Sequence, residues 1–292
     1  MKKNLHNTLF ISILITYLIA QTFGVNDWSM GIEKQLVESI SQNDLARKVY
    51  SQVVSNLRLE GIPPDYIQKI FDDPGIKIEN EIADRFNNPA ERLPYKRYRK
   101  IFITNNRIKN GEKFLRDYGS LIQTVSDSFG VDPFVIVSIV GIESLFGNNA
   151  KQYAVFNVLH TIIHQIPRKE KWAEKEMSEY LMFCYNNNTP PLTLYGSYAG
   201  AFGYGQFIPS SYNHYAVDFD KDGVKDPFHW PDVLASVANY LKRHGYDDTS
   251  EDYSKNSNNW KALMAYNPST NYVRVVVEFR EKLKVSIGDK GN

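Results

Sequence analysis

Cysteine is almost missing from this chain: its 292 residues include one, Cys184. No intramolecular disulfide can form, so the fold must rely on its apolar core. Cys184 lies in an amphipathic run, EMSEYLMFCY, where a buried structural thiol is expected rather than a nucleophile. Net charge is nearly missing too, with 34 Lys and Arg against 33 Asp and Glu, or +1. There is no basic stripe of the kind that nucleic acid requires, so no nucleic-acid partner is expected. The lysines at 95–115 and 168–175 interleave with acidic residues and read as solvated faces. Internal repeats and long low-complexity tracts are absent, and no G-x-S-x-G elbow supports a serine hydrolase. The rest of the composition, 42% hydrophobic and 23% charged, is that of a globular protein of one large or two modest domains.

The N-terminus reads as an export signal, residues 1–24. Lys2 and Lys3 give a positive start, Leu9 to Ala20 is a short apolar core, and Thr22-Phe23-Gly24 offers small residues for cleavage after Gly24. The core is too short for a comfortable membrane span. An uncleaved anchor is the competing reading, and the only expected route to a membrane. Lipidation would need a cysteine just after that core, and Cys184 is far downstream.

Helical patterning dominates and strand signals are sparse, which predicts a mostly α fold. Residues 33–58 are helical in pattern and end at Gly61-Ile62-Pro63-Pro64. Residues 64–94 are polar and read as turns, with Asp-Asp-Pro-Gly at 72–75 and Asn-Asn-Pro at 87–89. Helices are expected over 104–129, 168–185, 231–245 and 260–284. The predicted division is a helical N-terminal region over 25–104, a main helical domain over 105–285, and a tail over 286–292.

The run VDPFVIVSIVGIESLFG, residues 131–147, is almost wholly apolar and carries a single carboxylate, Glu143. Asp132 followed by Pro133 predicts a helix start and Gly147 a stop. On a helix Glu143 shares a face with Ile136, Ile139, Val140 and Phe146. Desolvation there raises a carboxylate pKa, which suits a general acid near neutral pH. The plainer reading is a Glu at a helix end that reaches solvent.

Asp218-Phe-Asp220-Lys-Asp222-Gly223-Val224-Lys-Asp226 places carboxylates at loop positions 1, 3, 5 and 9, with Gly at position 6. This is the pattern of a calcium loop, in which Val224 contributes only its backbone carbonyl. Position 12 is His229, so Asp232 is the expected closing ligand. The alternative is a surface acidic turn. His160 and His164 have the spacing of a zinc helix, but Thr161 and the lack of a third ligand argue against zinc. The segment 196–207, GSYAGAFGYGQF, interleaves glycines with aromatics and ends near Gln206. It suits close approach of a sugar, or it is a connector between helices.

Together these segments resemble the lytic murein transglycosylase B family, periplasmic enzymes that cleave peptidoglycan. The matching stretches are GIESLFG (141–147), GSYAGAFGYGQFIPSSYNHYAVDFDKDG (196–223), DVLASVANYLKRHGY (232–246) and AYNPSTNYV (265–273), with YKRYRKIFITNNRIKNGEKFL (95–115) matching more loosely. The resemblance covers about residues 50–285. It implies a lysozyme-like helical domain with an inserted calcium-type loop over 213–232, and Glu143 as the one catalytic acid. It implies that Ser197, Gln206, Ser211, Tyr266, Asn267 and Tyr272 line a glycan cleft, with aromatic walls from Tyr98, Trp172, Phe207 and Tyr240. Arg168 falls where the family carries a basic pair. Asp218, Asp220, Asp222 and Asp232 fall in ligand positions for a structural Ca²⁺, and no organic cofactor is implied. The lipid-anchor cysteine of some members is absent.

Most glycosidases use two carboxylates, roughly 5 Å or roughly 6.5–9.5 Å apart. Here one buried candidate is legible, which suits a substrate-assisted route. In that route Glu143 protonates the bond between N-acetylmuramic acid and N-acetylglucosamine. It then takes the proton of the muramyl 6-hydroxyl as that hydroxyl attacks C1, with Tyr266 supporting Glu143 and Ser211 or Asn267 orienting the acetamido group. A water-using muramidase and a silent peptidoglycan-binding scaffold are the alternatives.

Overall fold

The computed structural model describes residues 50–148 and 152–288. The export segment 1–24, residues 25–49 of the N-terminal region, and with them most of the expected 33–58 helix, lie outside the described residues. The chain divides into Met1–Gln52 and Val53–Asn292; the account below concerns the second unit. Among the described residues, twelve α-helices and one two-stranded antiparallel ladder make up its regular structure, with two short 3₁₀ turns. In order they are α1 (Ser51–Leu59), α2 (Pro64–Phe71), α3 (Glu81–Asn87), α4 (Tyr95–Phe102), α5 (Asn105–Phe129) and α6 (Pro133–Ser144). Strand β1 (Tyr153–Ala154), α7 (Val155–Gln165), α8 (Glu170–Asn186) and β2 (Tyr195–Gly196) follow. Then come α9 (Pro209–Tyr215), α10 (Trp230–Arg243), α11 (Asn258–Tyr266) and α12 (Thr270–Gly288). The mostly α expectation holds. No single helix among the described residues is long and apolar enough to cross a membrane.

Helix α6 is the core element. Asp132 caps it, its Oδ1 accepting the backbone N–H groups of Phe134 and Val135, and Pro133 occupies the first turn. Every residue from Val135 to Ile142 is buried, so the helix is apolar all round because neighbours cover every side. Helices α5, α10 and α12 pack on it. At Gly141 a Cβ would come within 2.6 Å of Phe146 and 2.8 Å of Phe279, so only glycine permits that approach.

The helix ends sooner than the sequence suggests. Leu145, Phe146 and Gly147 all adopt left-handed backbone, with φ of 50°, 57° and 80°. The expected glycine stop is thus the third residue of a turn that begins at Leu145. Ser144 stabilises the turn: its hydroxyl donates to the Val140 carbonyl and accepts the Gly147 N–H. Left-handed backbone at two bulky residues is strain that the surrounding packing must hold, and it begins two residues after Glu143.

The stretch 64–94 also departs from the turn-rich expectation, since it folds into α2 and α3. Their cores are small, Ile67 and Ile70 in one and Ile82 in the other, which leaves little periodic signal in the sequence. Part of the expected 286–292 tail is helical, because α12 continues to Gly288. Cys184 is buried and free, and burial pushes its thiol up to about 12, as suits a structural role.

Helix α12 grips α6 at both ends. Arg280, 2% exposed, pairs with Asp132 at the α6 cap and with Glu251 and Glu281. One helical turn pair earlier on α12, Tyr272 reaches Glu143. Helix α4 is tied to the same helix by Arg99, which pairs with Glu278, while Tyr95 donates to Glu278 at 2.7 Å.

Candidate active site

A cleft of about 250 Å³ opens where the end of α6 meets the glycine-rich segment. Arg85, Glu143, Ser144, Gly147, Gln152, Gly196, Ser197, Tyr198, Tyr204 and Gln206 line it. Among the described lining residues Glu143 is the one carboxylate and Arg85 the one cation. Three of the residues singled out in the sequence meet here: Glu143, Ser197 and Gln206.

Glu143 is half-buried. The Tyr272 hydroxyl donates to its Oε1 at 2.6 Å. Burial, reinforced by the negative charge of Glu143, pushes the Tyr272 phenol well above its ordinary range, so it stays a donor. The sequence reading gave this supporting role to Tyr266, whose hydroxyl instead donates to the Gly205 carbonyl at 2.5 Å. The two rings lie parallel, 6.5 Å apart. Tyr266 thereby ties the glycine-rich segment to the Tyr272 layer.

That segment is held in a fixed path. The Ser197 hydroxyl accepts the N–H groups of Ala199 and Ala201. The Gln206 backbone is left-handed at φ 52°, and its side-chain amide donates to the Gly203 carbonyl at 2.7 Å, which leaves the amide oxygen available to a ligand. Gly203, at φ 74°, packs so closely on Pro227 that a Cβ would meet it at 2.7 Å.

Several expected residues do not line the cleft. Tyr98, an expected aromatic wall, is 1% exposed and packs on Phe102. Phe207, Tyr240 and Tyr272 are buried as well, forming with Tyr266 an aromatic layer in which Phe207 lies 5.7 Å from Tyr240 and 5.4 Å from Tyr266. Rings covered by core groups cannot stack on a sugar, so this layer supports the site from within. Ser211 sits on α9 and Asn267 at the C-terminal cap of α11. Arg168 is exposed and donates to the Asn87 side chain at 3.3 Å. Trp172 lies under the Lys169 ammonium, 5.0 Å from the ring centre.

Sequence reasoning missed Arg85, Ser144, Gly147, Gln152, Gly196, Tyr198 and Tyr204 as individual lining residues. Tyr198 and Tyr204 fall inside the glycine–aromatic segment already flagged. Arg85 falls in a stretch read as turns and carried no signal.

The acidic loop converges as its spacing demands. Ligand atoms of Asp218, Asp220 and Asp222 lie within 4.8 Å of one another, as do those of Asp220, His229 and Asp232. Gly223 takes φ 92° at the sharp turn. Buried Asp232 accepts the N–H groups of Phe219 and Asp226 and so closes the loop. The Asp218 Oδ1 is buried with no hydrogen-bond partner. Asp226, expected as a ligand, instead accepts the Phe228 N–H and stands outside both groups, while His229 joins one of them. Val224 is exposed. The His160 and His164 rings lie 4.3 Å apart, tilted by 48°, and belong to neither group.

The loop is joined to the cleft by aromatic packing. Tyr204 lies on Trp230 at 4.6 Å and against Phe228 at 5.4 Å, and its N–H donates to the Pro227 carbonyl.

Residues 46–255, which contain Glu143, the glycine-rich segment and the acidic loop, match the family described as the transglycosylase SLT domain. Over 150 residues the chain is 39% identical to the membrane-bound lytic murein transglycosylase B of Escherichia coli K12, a match covering 51% of this chain and 42% of that protein. The alignment thus spans less than half of that relative's length. Among solved structures, the chain resembles the Escherichia coli lytic transglycosylase SLT35 in complex with calcium, at 25% identity and a TM-score of 0.73, over 82% of this chain and 93% of that one. It also resembles the soluble lytic transglycosylase SltB1 from Pseudomonas aeruginosa, at 28% identity and a TM-score of 0.74, over 82% and 99% of the two chains. The lysozyme-like helical fold expected from the sequence is the one these structures share. The chain belongs to the transglycosylase SLT domain family.

Proposed function

We propose that this protein is a peptidoglycan lytic transglycosylase of the periplasm, cleaving the β-1,4 bond between N-acetylmuramic acid and N-acetylglucosamine without water. The observation that carries the reading is the cleft with a lone described carboxylate, Glu143, held by Tyr272. Tyr272 donates to Oε1, and in this reading the transferred proton is carried on Oε2. Oε2 gives it to the glycosidic oxygen as the bond to C1 breaks, and N-acetylglucosamine leaves with a free 4-hydroxyl. The muramyl 6-hydroxyl attacks C1, and its proton passes to Oε2. The ring closes as a 1,6-anhydro end and Glu143 is regenerated. Attack from within the same sugar gains the large effective molarity of an intramolecular step. Gln206 and Ser197 contact the glycan. Ser211, Tyr266, Asn267, Arg168 and Trp172 act from further along the strand or from beneath the cleft.

The loop at 218–232 fits a structural Ca²⁺. Its donors are hard oxygens, and the orphaned Asp218 Oδ1 is a buried acceptor that a cation would satisfy. The related SLT35 structure holds calcium. Asp218, Asp220, Asp222, the Val224 carbonyl and Asp232 would hold the ion, whose charge offsets the repulsion among those carboxylates.

The test is Glu143→Gln, which keeps size and hydrogen bonding but cannot give and retake a proton. It should stop release of soluble fragments from purified sacculi while leaving the melting temperature close to that of the parent. Undiminished release would refute the assignment.

A further inference from the structure

The cleft has a second charged pole that the cleavage chemistry does not use. Arg85, in the last turn of α3, lines it together with Glu143. Its guanidinium lies over the Tyr153 ring, 5.6 Å from the ring centre. Tyr153 is buried in β1, pairs with Gly196 of the cleft wall, and donates its hydroxyl to Glu81 at 2.7 Å. Arg85 approaches Glu81 only loosely, at 3.7 Å with both side chains well exposed. A pair so exposed contributes little. Among the described residues no group accepts a hydrogen bond from Arg85. The neighbouring Phe86 packs edge-on against Tyr198, another lining residue, 5.5 Å away. So α3 is fixed to the cleft wall by the Phe86–Tyr198 contact on one side of Arg85 and the Tyr153–Glu81 hydrogen bond on the other, and the guanidinium keeps its donor fork for a ligand.

A neutral sugar has no need of such a cation. A carboxylate does, since the planar fork matches it with two parallel, charge-assisted hydrogen bonds. We propose that Arg85 is a specificity-determining residue that holds a carboxylate carried by the muramyl substituent of the glycan. The inference rests on the peptidoglycan reading above and deepens it. Two sources share this chemistry: a carboxylate of the stem peptide, and the lactyl carboxylate left when the stem is removed.

The experiment compares three forms of purified glycan strand: intact stems, stems with their carboxylates converted to amides, and strands freed of stems by an amidase. The parent protein is assayed first. If it cleaves none of them, the peptidoglycan reading fails and the subsite falls with it. If it cleaves, Arg85→Gln should lower kcat/KM about tenfold on intact strands, through KM rather than kcat, as loss of a charge-assisted contact implies. The loss should vanish on amidated strands. Arg85→Lys should recover part of it, because a point charge replaces a fork. A loss on intact strands that disappears on amidase-treated ones assigns the contact to the stem; a loss confined to amidase-treated strands, where the lactyl carboxylate is freed, assigns it to the lactyl group. An equal loss on intact and amidated strands, or no loss on any of the three forms, overturns the proposal while leaving Glu143 untouched. Because Arg85 is exposed, melting curves of both variants should overlay that of the parent, which separates recognition from folding.

Discussion

The phenol of Tyr272 donates a 2.6 Å hydrogen bond to Oε1 of Glu143, joining residues 129 apart in sequence. Tyr272 and Arg280 stand on the same helix, and Arg280 pairs with the carboxylate that caps the start of the Glu143 helix. One helix therefore fixes both the position and the orientation of the candidate acid.

Tyr272→Phe keeps the buried ring and removes only the donor. Glu143 then turns more freely, and kcat on sacculi should fall roughly tenfold to a hundredfold with little change in KM. Unchanged kcat would mean that the hydrogen bond does not orient the acid.

Arg280→Met should destabilise the fold by about 3 kcal/mol in urea unfolding, because it leaves Asp132 partly buried beside no cation. Combining it with Asp132→Asn should cost less than the sum of the two single changes. Additive losses would show that the pair does not interact as placed.

Burial works to raise the Glu278 carboxyl, but hydrogen bonds from Arg99 and Tyr95 outweigh it and hold the group below its ordinary 4.5. A carboxylate depressed in the folded state adds stability above that value and loses it as pH falls through the lower, folded value. Glu278→Gln should therefore lower stability at neutral pH and flatten its decline below pH 4.5. Parallel acid-unfolding curves for parent and variant would contradict this.

A chelator should lower the melting temperature by several degrees, since an ion bound at a hundred times its dissociation constant adds about 2.7 kcal/mol. Asp218→Ala should melt lower without chelator and respond to it no further. A parent protein indifferent to chelator would argue against a structural ion at 218–232.

Features with local causes were legible in the sequence. The Asp132–Pro133 cap, the apolar Glu143 helix and the acidic loop all depend on neighbours within a few residues. Their backbone forms follow the expectation, apart from the early left-handed turn at Leu145 and from Asp226, which stands outside the converging groups that His229 joins. What depends on distant partners was not legible. The choice between Tyr266 and Tyr272 as donor turns on how α11 and α12 settle against α6, and both tyrosines look alike in a list of aromatics. Tyr98, Phe207 and Tyr240 read as sugar-binding rings, yet their neighbours bury them. Helix α3 was hidden by its brevity and single buried residue, Ile82, and Arg85 was hidden with it.

The most direct measurement is mass spectrometry of the glycan ends released from purified sacculi. Attack by the muramyl 6-hydroxyl predicts ends lighter than reducing ends by the mass of one water, absent from digests with Glu143→Gln. Reducing ends alone would show that water is the nucleophile and would contradict the account.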